Sequence, residues 1–129
     1  MRWELGKGAL DYDWQYAVVA YGVNDWGHKR PLEDFTLHVR GMLENLSRRD
    51  GKVYIITPLP FMMKDDPNTD TPLEIFRQCI RDVAVDFPQV KVVEGTSLLP
   101  ADDRFFVDGV HPNDEGMQLM AENLFKNMQ

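Results

Sequence analysis

Lys52-Val53-Tyr54-Ile55-Ile56-Thr57, closed by Pro58, is the stretch on which the fold turns. Its apolar run is continuous rather than alternating, as in a strand covered on both faces, and its β-branched and aromatic residues favour extended backbone. Just upstream, Leu32, Phe35, Val39, Met42, Leu43 and Leu46 recur at helical spacing, with Pro31 suited to a first turn and Asp50-Gly51 to a stop. Downstream, Thr71-Pro72-Leu73-Glu74 reads as an N-cap, a first-turn proline and a capping-box glutamate. Leu73, Phe76, Ile80, Val83, Ala84 and Phe87 then share one face, and Pro88 ends the segment. Beyond these helices lie two more strand candidates, Gln15 to Tyr21 stopped by Gly22, and Val90 to Glu94 stopped by Gly95. A last helix from Asn113 to Met128 is expected to bury Met117, Met120, Ala121, Leu124 and Met128. The order is strand, helix, strand, helix, strand, loop, helix. Right-handed crossovers make this an α/β chain with a parallel sheet of about three strands and helices on its faces.

The 129 residues are a single domain by length, enough to bury roughly two thirds of the unfolded surface. The formal charge of −7 repels phosphate backbones and anionic lipid, so neither nucleic acid nor a membrane surface is the expected partner. No apolar run approaches the roughly 18 residues that span a bilayer, and Glu4, Lys7 and Asp11 stand where a signal peptide has its apolar core, so the expected location is the cytoplasm. Cys79 is the one cysteine, which excludes an internal disulfide and a multi-cysteine zinc site. No cofactor motif is present, and none is expected to be needed. Met1 to Trp14 carry no clear strand or helix pattern that would enlarge the sheet.

Open parallel sheets carry their working residues on loops beyond the carboxyl ends of the strands. After the first strand comes Gly22-Val23-Asn24-Asp25-Trp26-Gly27. The Asn24 amide can donate toward a developing oxyanion and Asp25 can brace the turn, although Asn-Asp is also ordinary turn chemistry. Before the last helix comes Asp108-Gly109-Val110-His111-Pro112. Asp108 and His111 are three apart, close enough for the carboxylate to hold one ring nitrogen while the other faces outward as a general base. A plain helix-entry turn is the bland alternative.

Together, Gly22-Val23-Asn24-Asp25 and Asp108-Gly109-Val110-His111-Pro112, with Asn113-Asp114-Glu115-Gly116 following, resemble blocks three and five of the SGNH hydrolases, the GDSL esterase and lipase family. The resemblance runs from about Tyr16 to the C-terminus. It implies a flavodoxin-like three-layer α/β/α fold and hydrolysis of acyl esters through a Ser-His-Asp triad. His111 would be the base, Asp108 its orienter, Asn24 an oxyanion donor and Gly22 the residue shaping the loop that presents it, while Asp25 would be structural. Trp26 and His28 are possible cleft residues, and Trp14, Phe61, Met62 and Met63 possible acyl-pocket walls. His38 reads as surface.

The departure from the family is the nucleophile. No Gly-Asp-Ser occurs, Gly6-Lys7-Gly8 does not replace the second-block glycine, and the only serines are Ser47 and Ser97. The resemblance therefore implies the C-terminal part of such a hydrolase, lacking two strands and the helix between them, acting on a small-molecule ester only if completed. The strand at Gln15 to Tyr21 would expose an apolar edge, so self-association or pairing with another chain along it is expected. Two other classes compete with the hydrolase: a non-catalytic binding or oligomerisation module of the same fold, and a metal phosphoesterase using Asp25, Asp108 and His111, which chelation would reveal. The acidic Lys64-Asp65-Asp66-Pro67-Asn68 and Asp102-Asp103 lack calcium-ligand spacing and read as solvated turns, so no metal site is expected.

Overall fold

The computed structural model describes residues 16–128. Three parallel strands, β1 (Tyr16–Ala20), β2 (Lys52–Ile56) and β3 (Val90–Val93), lie in that order, with Ala17 opposite Val53 and Val53 opposite Val90. A short helix α1 (Val23–Gly27) leaves β1, α2 (Leu32–Leu46) crosses to β2, and α3 (Leu73–Ala84) crosses to β3. After β3 come the one-turn helix α4 (Gly95–Leu98), a 3-10 turn (Asp103–Phe105) and the closing helix α5 (Asp114–Asn127). Residues 1–14, and Gln15 at the start of the expected first strand, lie outside the described residues.

One face of the sheet carries α2 and α3. Phe35, Val39, Met42 and Leu43 of α2 and Phe76 and Ile80 of α3 are at most 1 % exposed and pack on Val19, Val53 and Ile55. Phe35 stacks on Tyr21 with ring centroids 5.4 Å apart and meets Phe76 at 4.8 Å. The other face carries α5, whose Met120, Leu124 and Met128 lie with Leu98 of α4 against Tyr54, Ile56 and Val93, with Val18 at the margin.

The expected inner face of the last helix is rotated. Met117 and Ala121 are exposed, and Gly116 is the buried residue of the first turn, pressed on the Phe105 carbonyl. Asn123 and Asn127 carry the helix toward α4 and β3 instead: Asn123 donates to the Leu98 carbonyl at 2.9 Å, and the Asn127 carbonyl accepts from Lys91 at 2.5 Å. Polar anchoring, which an apolar pattern does not reveal, fixes the rotation.

The expected capping box on α3 does not form. Pro72 occupies the cap position, Glu74 is drawn to Arg81 at 2.7 Å, and Asn68 accepts the Thr71 amide at 3.1 Å. Phe87, placed within that helix by its pattern, instead closes a turn past its end, its amide bonded to the Ala84 carbonyl. Gly95-Thr96-Ser97, read as loop, is the first turn of α4.

The two edges of the sheet differ. Among the described residues β1 pairs only with β2, and it contains neither charge nor proline. The edge strand β3 is four residues long, follows Pro88 and has Lys91 near its centre.

Candidate active site

The carboxyl ends of β1 and β2 open into a cleft of about 260 Å³. Its walls include Ala20 at the end of β1, Gly22 and Asn24 after it, Thr57 to Phe61 after β2, and Val110, His111 and Pro112 before α5. Gly22 makes the first turn possible. Its φ of 117° is open to glycine and strained for other residues, and a Cβ there would press on Phe35 and Pro58 at 3.2 Å. Its carbonyl accepts from the Trp26 amide at 3.0 Å, so the segment read as an irregular loop winds into α1 and leaves Asn24 exposed at the cleft.

Three hydrogen bonds converge on Asp108. One carboxylate oxygen accepts the backbone amides of Val110 at 2.9 Å and His111 at 2.7 Å, and the other stands 2.7 Å from His111 Nδ1. Above all the His111 amide, with the imidazole and the Val110 amide, holds the Asp108 carboxyl well below the usual carboxylate range. With Nδ1 held by a carboxylate, the Nε2 lone pair is free to accept a proton. The dyad is open: the His111 side chain is 75 % exposed and that of Asp108 52 %.

The loop bearing the dyad is pinned on both sides. Val107 donates to the His111 carbonyl at 2.8 Å, and Met62 donates to the Gly109 carbonyl at 2.7 Å. Gly109 has φ 86°, and a Cβ there would fall 2.9 Å from the Met63 nitrogen. Asn113 then caps α5, accepting from Gly116 at 2.8 Å and donating to the Arg104 carbonyl at 2.6 Å.

Sequence reasoning missed Arg77. From α3 it donates to the carbonyls of Pro58 and Leu59, both at 2.9 Å, and holds the cleft wall from behind. The signal was Pro58-Leu59-Pro60, in which two prolines have no amide to donate and leave the segment dependent on an outside donor. Thr57, equally unremarked, donates to Glu94 at 3.0 Å and accepts from Gly95 at 2.9 Å, while Arg81 grips Glu94 at 2.7 and 2.8 Å.

Other candidates lie elsewhere. Trp26 is buried, with its indole donating to Thr71 at 2.7 Å and its ring edge-on to Phe61 at 4.9 Å, so it braces the cleft from outside. His28 is exposed beyond α1 and His38 is half-buried on α2; neither lines the cleft. Phe61 lines the cleft, whereas Met62 and Met63 do not. Asp25 is bound to Arg30 at 2.6 Å. Among the described residues no three His, Cys, Asp or Glu side chains converge as metal ligands. Ser97 is exposed on α4 and the Ser47 hydroxyl is buried at the end of α2; neither lines the cleft.

The model of the GDSL-like lipase/acylhydrolase family matches residues 1–119. The chain belongs to that family. Among solved structures, the salicylyl-acyltransferase SsfX3 from a tetracycline biosynthetic pathway superposes with a TM-score of 0.81 at 16 % identity, over 98 % of this chain and 40 % of the other. A protein of the G-D-S-L family from Desulfitobacterium hafniense DCB-2 superposes with a TM-score of 0.70 at 21 % identity, over 98 % of this chain and 75 % of that one. The GDSL-family fold is thus shared, and this chain spans well under half the length of SsfX3. No curated protein matches the sequence. No described helix is long and apolar enough to cross a membrane.

Proposed function

We propose that this chain supplies the base and the oxyanion side of a GDSL-type acyl-ester hydrolase site, without its nucleophile. The observation that carries this reading is the Asp108–His111 pair at 2.7 Å, with His111 and Asn24 on one cleft. In ester cleavage His111 Nε2 takes the proton of the attacking hydroxyl as its oxygen bonds to the acyl carbon. Asn24 donates to the oxyanion that develops, and His111 returns the proton to the leaving alkoxide. Water as acceptor gives hydrolysis and an alcohol gives transfer, the class to which SsfX3 belongs by name. With neither serine on the cleft, the chain alone is limited to slow base-catalysed attack by water. The same lack favours a second reading, a ligand-binding module that retains the cleft without turnover.

The test is p-nitrophenyl acetate hydrolysis by the purified chain beside His111→Ala, Asn24→Ala and Ser97→Ala, with a serine-reactive fluorophosphonate. Slow turnover that requires His111, weakens with Asn24→Ala, ignores Ser97→Ala and leaves no phosphonate adduct is expected. Equal rates with and without His111 would favour the binding module, and an adduct on Ser97 would make the chain a complete hydrolase.

A further inference from the structure

The cleft wall that follows β2 is a thin partition. Pro60 and Phe61 line the cleft on one side and, on the other, a second groove of about 500 Å³ whose lining includes Trp26, Leu73 and Arg77. A wall with open space on both sides is not located by close packing, because neither side presses it against a filled layer. Its side chains are anchored only at the ends: Leu59 lies against the cluster of Leu99, Phe105 and Phe106, and Phe61 meets Trp26 edge-on at 4.9 Å.

The backbone of the wall has few ties of its own. The Thr57 amide closes on the Val93 carbonyl at 3.0 Å, and the Met62 amide on the Gly109 carbonyl at 2.7 Å. Between them Pro58 and Pro60 have no amide to donate, and among the described residues the Leu59 and Phe61 amides meet no acceptor. The carbonyls are held instead. Arg77 places Nε on Pro58 and Nη2 on Leu59, each at 2.9 Å. A guanidinium is planar and its donors are fixed relative to one another, so the fork sets the spacing and direction of two successive carbonyls at once. A lysine ammonium at the same place is a single point charge. The fork is itself held, with its side chain 11 % exposed and Glu74 standing 3.5 Å from Nη1.

We infer that Arg77 is a positioning residue for substrate binding: by clamping Pro58 and Leu59 from α3 it holds Pro60 and Phe61 at the cleft shared with Asn24 and His111, and so sets the fit of the acyl group. This role presupposes the cleft proposed above as the substrate site. It separates binding from chemistry. The dyad loop has supports that do not pass through Arg77: the Val107 amide donates to the His111 carbonyl at 2.8 Å, Phe106 bridges to Pro112, and Asn113 accepts from Gly116 at 2.8 Å. Releasing the wall therefore leaves Asp108 and His111 engaged. A wall already in place needs no ordering when a ligand arrives, whereas a released one must be ordered on binding, which weakens affinity. Loss of the fork should accordingly raise KM and spare kcat.

The test compares the parent with Arg77→Lys, Arg77→Ala and Arg40→Ala, the last a control on α2, where Arg40 pairs with Asp86 away from the cleft. Three quantities are read: the Kd for p-nitroacetanilide, the amide counterpart of the ester, from NMR shifts of the Asn24 side chain and the Phe61 amide; KM and kcat for p-nitrophenyl acetate; and the titration of the His111 ring. Both Arg77 variants are expected to raise Kd and KM about tenfold with kcat and the His111 titration unchanged. Methylguanidinium should restore affinity to Arg77→Ala and leave the parent unaffected, and Arg40→Ala should match the parent. Arg77→Lys keeps charge and length, so it reports on the fork even where Arg77→Ala fails to fold. Parent-like affinity in the Arg77 variants overturns the inference and makes the wall self-supporting. A fall in kcat with a shifted His111 titration overturns it in favour of a general loosening of the site. Ester hydrolysis equal with and without His111, while Kd still follows Arg77, overturns the catalytic reading and keeps the clamp as the determinant of binding. A parent that neither binds the amide nor saturates with the ester overturns the inference, because the wall then sets no fit.

Discussion

The two faces of the sheet are built to different standards. Beneath α2 and α3 the large apolar side chains of both helices that meet the sheet are buried, with Val90 and Val92 of β3 partly so, and aromatic rings pack together. Beneath α5 the packing is partial: Met120, Leu124 and Met128 are only half-buried, and Met117 and Phe125 face solvent. The first face holds the fold, and the second is only loosely covered. Substitutions on the two faces of one three-stranded sheet should therefore differ in cost.

The largest contrast is expected between two phenylalanines. Phe35→Ala should cost about 3–5 kcal/mol in urea unfolding, because its cavity lies between Tyr21 and Phe76, whereas Phe125→Ala should change stability by less than about 0.5 kcal/mol. Comparable losses would mean that α5 is as well seated as α2.

Next in size are the glycine and the cap that hold the dyad. Gly109→Ala should destabilise by about 1–3 kcal/mol and raise the exchange of the Met62 amide, since the left-handed φ and the Met63 nitrogen both oppose a Cβ. Asn113→Ala should cost about 1 kcal/mol by freeing the Gly116 amide. His111→Ala, by contrast, should leave the melting temperature unmoved while removing ester hydrolysis, because its ring is exposed.

The smallest effect is one of pH. The bidentate Arg81 holds Glu94 below its ordinary range, so the stabilisation is present above the ordinary glutamate value and is lost as pH falls through the lowered one. Glu94→Gln should therefore be less stable than the parent at neutral pH, with the gap closing in thermal melts as pH falls below the ordinary glutamate value and through the lowered one. A gap that persists in acid would assign the difference to packing.

The α/β order was legible from sequence because strands buried on both faces and helices with one apolar face announce themselves. Val53 to Ile56, Phe35 to Leu46 and Phe76 to Val83 lie in those elements as read. The family resemblance in Gly22 to Asp25 and Asp108 to Pro112 agrees with the family model and with the shared fold. Less legible was anything decided by polar contacts across the chain. The rotation of α5 is set by Asn123 and Asn127, the failed capping box by Arg81 drawing Glu74 away, and the cleft wall by Arg77 reaching Pro58. Such bonds join residues that no local period relates. The short helices α1 and α4 escaped for another reason: a turn or two of helix is too brief to display a repeat.

Lys91, near the centre of β3, carries a consequence of its own. Unlimited fibre growth requires a sheet that can be extended at both margins. Among the described residues β1 is paired on one side only, and the other margin is a short strand with a lysine near its centre, so an addition at β1 would have no counterpart across the sheet. A sheet that can be extended on one side only would close at a finite size rather than grow as a fibre.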